Sequence, residues 1–266
     1  DTMVIKVVTD SVADIPADLV EKLKIIVVPL TVTFGQQDYL DGIDITSSEF
    51  FQRLASGGDL PKTTQPSIGA FQEVYQKLTA EGSEIVSIHA SSKLSGTFNS
   101  ASQAAKEVDG IKIELVDTMN VSLAEGLTVI AAARMAQKKD AKLKEVAEFA
   151  KKTAAKVDVY ITVDTLEYLK RGGRIGKAAA LVGTLLKVKP ILTIREGAVH
   201  PYGKARTRVK AVALIKDIVT EAGPYAEIAV LHATTPEEMK ALKGELQHLS
   251  PNMDIIEGNI GATIGT

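Results

Sequence analysis

The chain has 266 residues, 45% of them hydrophobic, with 31 basic and 33 acidic side chains giving a formal charge of −2. That length holds one large domain or two ordinary ones, and the charge balance gives no general pull toward nucleic acid or an anionic membrane. The absence of cysteine excludes disulfides, thiolate catalysis and cysteine-ligated metal.

Tryptophan is absent and aromatics make up 5%, so large apolar surfaces must be built from aliphatic side chains. A stacking platform for bases is not expected. No apolar run is long enough to span a membrane, and the N-terminus lacks a signal-like pattern. The expectation is a cytoplasmic protein that does not span the membrane, with no metal and no nucleic acid partner.

In chain order, IKVVTD (5–10) reads as a buried strand, and 14–23 as a helix capped by Asp14 with Pro16 in its first turn. IIVVPLTVTF (25–34) is apolar and β-branched, broken by Pro29. Thr46 and Glu49 have the spacing of a capping box, so a helix starts there. After PKTTQPS (61–67), the spacing of Ile68, Phe71, Val74, Tyr75 and Leu78 predicts a helix. A strand (84–90), the polar loop SSKLSGT (91–97), a helix, a strand (111–117) and helices near 121–137 and 142–155 follow. Alternating strands and helices of this kind predict a parallel sheet covered on both faces.

Beyond residue 157 the pattern changes. A strand (158–164) leads into a short helix ended by Gly172-Gly173. An Ala/Leu-rich helix (178–186) precedes a hairpin turned at Arg195-Glu196-Gly197. A helix (208–221), a strand (226–233), a helix after Thr235-Pro236 and a strand (254–260) complete the chain. The expected architecture is α/β in two domains. Residues 1–157 carry a parallel sheet flanked by helices, and 158–266 a mixed sheet with helices.

Four features carry candidate chemistry. Ser95 lies in a strand-loop-helix segment, where free N–H groups and the helix dipole favour an anion, while Ser95 or Thr97 equally suits a helix cap. A nucleophilic Ser95 would need the glycine two residues earlier that a nucleophile elbow has, and Lys93 stands there. A serine-dependent acyl hydrolase or thioesterase pairing Ser95 with a histidine remains the alternative; His89 and His232 end predicted strands. Thr63 and Thr64 form a second hydroxyl cluster. Arg171 and Arg174 flank the glycine pair, either as an anion clamp or as basic residues completing a helix C-terminus. The helix at 178–186 reads as core or as the wall of an apolar tunnel. The stretch 187–210 sets Lys187, Lys189, Arg195, Lys204, Arg206, Arg208 and Lys210 against Glu196 alone, as a solvated face or a surface for an acidic partner.

VTDSVADI, PKTTQPS, SSKLSGTFNSA, LEYLKRGGRIGKAAALVGTLLKVKPIL and GKARTRVKA occur in the order found in DegV-family fatty-acid-binding proteins. The chain resembles that family from Ile5 to its end. The resemblance implies two α/β domains that hold one long-chain fatty acid, of about C14–C18, in an apolar tunnel lying mostly in the second. It implies that the carboxylate sits at the domain interface. There it meets Thr63 or Thr64 from the Thr-rich loop and Ser95, Gly96 and Thr97 from the Ser-Gly-Thr loop, with Arg171 acting through water. It also implies a non-catalytic subunit that presents the lipid to a separate ATP-dependent kinase subunit, docked on Lys204, Arg206 and Arg208. Transient membrane contact would serve lipid exchange. The family continues beyond IGATIGT into a Gly-rich segment with a histidine of the carboxylate network, whereas the sequence given ends at Thr266.

Overall fold

The structure is a computed structural model that describes residues 4–183 and 188–266. The first half runs β1 (Ile5–Asp10), α1 (Ala17–Leu23), β2 (Ile26–Val28), β3 (Thr31–Phe34), β4 (Gln37–Leu40), α2 (Ser47–Ser56), β5 (Lys62–Thr64), α3 (Ile68–Ala80), β6 (Glu84–His89), α4 (Thr97–Glu107), β7 (Ile113–Asp117), α5 (Ser122–Ala136) and α6 (Leu143–Ala154).

β2-β1-β6-β7 form a parallel sheet, with Val8 opposite Ile26, Val7 opposite Val86 and Ile88 opposite Val116. Successive residues point to opposite faces of a strand. Val7 and Val86 therefore pack with Val129 of α5 and Val146 of α6, while Val8 and Ile85 pack with Phe71 and Tyr75 of α3 and Ala101 of α4. Burial on both faces is why these strands read as continuous apolar runs.

Three local expectations meet the structure differently. The Thr46–Glu49 capping box forms in both directions, with Glu49 N–H on Thr46 Oγ1 at 3.2 Å and Thr46 N–H on Glu49 Oε2 at 2.8 Å. Asp14 does not cap α1; it closes the 3-10 turn Ser11–Ala13 at its C-terminal end. It has a φ of +49°, and α1 starts only at Ala17 after Pro16. Its carboxyl instead accepts from Ser122 Oγ at 2.5 Å and from Gly261 N–H at 2.9 Å. The run 25–34 is divided by Pro29, which has no N–H to continue a ladder. Its first part joins the parallel sheet, and its second becomes the centre of an antiparallel sheet, β4-β3-β5.

The second half runs β8 (Ile161–Thr162), α7 (Glu167–Arg171), a 3-10 segment (Gly176–Leu181), β9 (Lys189–Arg195), β10 (Ala198–Ala205), α8 (Arg208–Ala222), β11 (Ala229–His232), α9 (Pro236–Leu246), β12 (Ile256–Asn259) and α10 (Ala262–Gly265). Its strands are shared between an antiparallel sheet, β10-β9-β8, and a parallel pair, β11-β12. The α-helix expected at 178–186 is corrected. The described part is 3-10, with Ala178 N–H on Ile175 O and Val182 N–H on Ala179 O, while Leu185 and Leu186 lie outside the described residues. Gly176 explains the entry. It has a φ of +51°, and a Cβ there would sit 2.5 Å from the Val199 carbonyl oxygen, so the segment starts pressed against β10.

The halves are joined at several places: Ala229, Leu231 and Ile256 pack on the first-half core, Arg134 binds Glu227 at 2.9 Å, and two further contacts lie near the strand ends. The β9–β10 turn, Glu196-Gly197, has positive φ at both residues, and the Gly197 carbonyl accepts from Ser91 Oγ at 2.7 Å. The chain end also returns to the first half. Ser47 Oγ donates to Ile260 O at 2.6 Å, Thr263 bonds Asp41 through N–H and hydroxyl, and Ile264 packs on Val12, Leu30 and Ala90.

Candidate functional site

The carboxyl ends of β1, β6 and β7 are Asp10, His89 and Asp117, and the loops beyond them form one wall of a cavity. In open α/β sheets this is where ligands bind. The loop after β6 is itself a tight turn. Leu94 and Ser95 both donate from N–H to Ser91 O at 3.0 Å, and Ser91 N–H is held by Asn120 O at 2.8 Å.

A cavity of about 170 Å³ lies between two small hydrophobic clusters. Val12, Leu30 and Ala90 face it from the first half, with Val121 and Ile264 beside them. Leu192, Val199, Ile161, Leu169 and Ile194 face it from the second, and Leu94 reaches across to join that cluster. Native cores rarely leave voids beyond the size of a water, and aliphatic cavities of this size stay dry and admit hydrocarbon guests. Hydroxyls of Thr63, Ser95, Thr193, Thr263 and Thr266 interrupt the wall, together with Arg174.

Beneath the wall runs a buried polar chain. Asp10 accepts from Val12 N–H at 3.0 Å and Ala90 N–H at 3.3 Å, and its Oδ2 lies 2.8 Å from His89 Nδ1. His89 Nε2 meets Ser87 Oγ at 2.7 Å, and Ser87 meets the Tyr75 hydroxyl at 2.7 Å. Val12 and Ala90 thus owe their positions in the wall to a carboxylate behind it. Burial holds the Glu125 carboxyl well above the usual carboxylate range, and the Asp10 charge adds to this, while Thr9 Oγ1 donates to it at 3.3 Å. Burial likewise raises Asp14 and Asp41, against hydrogen bonds from Ser122, Gly261 and Thr263 that oppose it.

Of the residues expected at the site, Thr63 and Ser95 come together on the cavity wall. Thr64 does not. It pairs opposite Thr31 and is exposed, because alternate residues of β5 face opposite sides. Thr97 is fully buried and supports Ser95, with the two hydroxyls 2.8 Å apart and Thr97 N–H on Ser95 Oγ at 3.2 Å. Gly96 lies behind this pair, outside the wall, covered by the side chain of Gln65.

Arg171 turns away from the cavity and binds Glu167 Oε1 at 2.6 Å. Arg174 holds the place beside the wall, donating from Nε to Leu94 O at 3.2 Å and from Nη1 to Gly172 O at 2.9 Å. Lys204 and Arg206 are exposed. Arg208 is engaged internally. It binds Glu238 at 2.6 Å and lies 3.8 Å from Asp164, and the Glu238 carboxylate raises its pKa. Lys189 is paired too, with Asp164 at 2.8 Å, and Lys187 lies outside the described residues.

No triad surrounds Ser95. His89 is sealed between Asp10 and Ser87, His232 Nδ1 accepts from Thr235 N–H, and no histidine is in the wall among the described residues. The hydrolase alternative therefore has no support. The described residues contain no group of three or more metal-ligating side chains placed to hold an ion. Sequence reasoning missed Thr193, Thr263 and Thr266. The last two had one signal, a hydroxyl pattern among glycines in GATIGT.

Residues 4–266 match the family described as an uncharacterised protein, DegV family. The chain belongs to the DegV family. It is 35% identical to Protein DegV of Bacillus subtilis over 99% of this chain and 95% of that one. The crystal structure of the Bacillus subtilis DegV, described as a fatty acid binding protein, superposes with a TM-score of 0.90 at 34% identity, covering 99% of this chain and 95% of that one. A stearic acid-binding protein from Eubacterium ventriosum superposes with a TM-score of 0.84 at 28% identity, covering 96% and 91%. Both structures share the mixed α/β fold described above. No helix among the described residues is long and apolar enough to cross a membrane.

Proposed function

We propose that this DegV-family protein binds one long-chain fatty acid, with its acyl chain in the cavity between the two hydrophobic clusters and its carboxylate at Thr63 and Ser95. The observation that carries this reading is the wall itself: aliphatic on both sides, interrupted by uncharged hydroxyl residues, Thr63 and Ser95 among them, and by Arg174. The Bacillus subtilis and Eubacterium ventriosum relatives, described as binding fatty acid, support it.

The energetics agree. Each buried methylene contributes about 0.8 kcal/mol, so a sixteen-carbon tail supplies roughly 12 kcal/mol gross, part of which ordering and association remove. The tail then dominates affinity, and the head group needs only to be satisfied. Hydroxyls do that without neutralising the carboxylate, and Arg174, rather than Arg171, brings the nearest positive charge.

A carboxylate held by neutral donors stays nucleophilic. We therefore assign the protein the role of a lipid-presenting subunit in the cytoplasm, without catalysis of its own. A separate ATP-dependent kinase subunit would phosphorylate the carboxylate. Its docking would use Lys204 and Arg206, since Arg208 is held by Glu238. The chain would divide between the two tasks near residue 157, with head-group loops before it and most of the tunnel after it. Solvent extraction of the purified protein and mass spectrometry of the extract test the binding. One non-covalent acid of roughly fourteen to eighteen carbons per chain is expected. A lipid-free protein that takes up no added palmitate would sink the reading.

A further inference from the structure

Thr63 and Ser95 reach the cavity from different loops, and neither hydroxyl bonds the other among the described contacts. Something must fix their separation. Gln65 lies two residues beyond Thr63, and its backbone is held on both sides. On one side the β5 ladder pairs Thr63 with Val32; on the other Pro66 is buried and Ser67 caps α3 by accepting from Ala70 N–H at 3.1 Å. Its side chain crosses to the Ser95 loop. The amide Nε2 donates to Ser100 Oγ at 3.3 Å, in the first turn of α4. The same amide lies over Gly96.

Gly96 is where the crossing amide rests. Its φ of −76° and ψ of 0° suit any residue, so conformation does not call for glycine there. What covers it is Gln65: a Cβ at position 96 would come within 2.5 Å of Gln65 Cδ, the three nearest atoms all belong to that amide, and the flexible amide would have to move off its seat. An exposed glutamine is thus seated on a bare backbone position and a buried serine of another loop.

We propose that Gln65 is a positioning residue that sets the spacing of the Thr63 and Ser95 hydroxyls for a fatty acid carboxylate. The inference rests on the fatty acid reading above. The test compares palmitate with hexadecan-1-ol on delipidated full-length protein, because the two share a tail and differ in the head group. Gln65→Ala should lower palmitate affinity about five- to tenfold, the worth of one well-placed hydrogen bond, and leave hexadecanol within about twofold. Gln65→Asn, which keeps the amide but shortens its reach, should behave alike. Gly96→Ala should give the same acid-specific loss by displacing Gln65, and the double variant Gln65→Ala/Gly96→Ala should be no worse than either single one.

Equal losses for acid and alcohol, additive losses in the double variant, or unchanged affinity would each overturn the inference. Wild-type protein that binds hexadecanol as tightly as palmitate would overturn it too. Wild-type protein that binds neither would overturn the fatty acid reading as well, so the two failures are distinguishable.

Discussion

One hydroxyl at Ser95 serves two partners. It accepts from Thr97 N–H, which uses one lone pair, and it lies 2.8 Å from Thr97 Oγ1 with its own proton still to place. A hydroxyl has one donor and two acceptor sites, so holding the Thr97 N–H leaves Ser95 able to meet a carboxylate as proposed. The cap expected at Ser95 or Thr97 is met only in part: Gly96 is the N-cap of α4 and has no side-chain cap bond, while Ser95 Oγ takes Thr97 N–H. Ser95→Ala should slow acyl-phosphate formation with a kinase partner by about tenfold or more, and lower fatty acid affinity by a smaller factor. Turnover equal to wild type would count against a head-group role. Glu125 gives a second residue-scale prediction. Its carboxyl is raised above the ordinary 4.5 by burial and by the Asp10 charge, so the folded chain holds that proton more tightly than the unfolded chain. Stability is therefore full below the ordinary value and falls as pH rises through the window above it. Glu125→Gln should flatten the decline in chemical-denaturation stability as pH rises above the ordinary carboxylate range, leaving the part due to Asp14 and Asp41. A decline as steep as wild type would show that Glu125 does not titrate in that window.

Elements differ in how far local sequence specifies them. The parallel sheet was legible because Val7, Val8, Ile85 and Val86 are buried on both faces, which leaves an uninterrupted apolar run. The β4-β3-β5 sheet was not, because Gln37–Leu40 and Lys62–Thr64 are short and largely polar, and only pairing with β3 makes them strands. The site followed the same division. Thr63 and Ser95 stand out within hydroxyl-rich loops, the family resemblance rather than the loops themselves points to a carboxylate, and both residues line the cavity. Which of two neighbouring threonines faces inward depends on the β5 pleat, and which arginine faces the cavity depends on the turn at Gly172-Gly173. The β9–β10 hairpin was read from Arg195-Glu196-Gly197, yet its docking on Ser91 was invisible, since Ser91 lies 106 positions away. Gly197 combines a φ of +77° with a site where a Cβ would approach Ser91 Oγ to 2.5 Å and Met119 Cε to 2.7 Å. Gly197→Ala should therefore cost about 1–3 kcal/mol in denaturant unfolding, from left-handed strain and the lost seat on Ser91. A cost under about 0.5 kcal/mol, the range of ordinary surface changes, would mean that the tip is not held there.

For the whole molecule, the cavity lies on a seam. One wall belongs to the loops beyond β1, β6 and β7, the other to β8, β9 and β10, and the returning chain end contributes Thr263, Ile264 and Thr266. Near the cavity the two walls are tied by hydrogen bonds from Ser91 to Gly197 and from Arg174 to Leu94, and by apolar packing of Leu94 and Ile264 across the seam. An aliphatic guest would replace empty space with contacts to both walls, so binding should tighten the two halves together rather than stiffen one alone. Ligand that binds only the folded chain stabilises it by about 2.7 kcal/mol when present at roughly one hundred times its Kd. For a chain of this length that corresponds to a rise in Tm of roughly 5–10 °C. Delipidated protein titrated with palmitate should show this rise as one shifted transition, and hydrogen exchange should slow on both Leu94 and Leu192. Slowing confined to one side would place the acyl chain within a single half, and an unmoved Tm at saturating palmitate would remove the cavity as its seat.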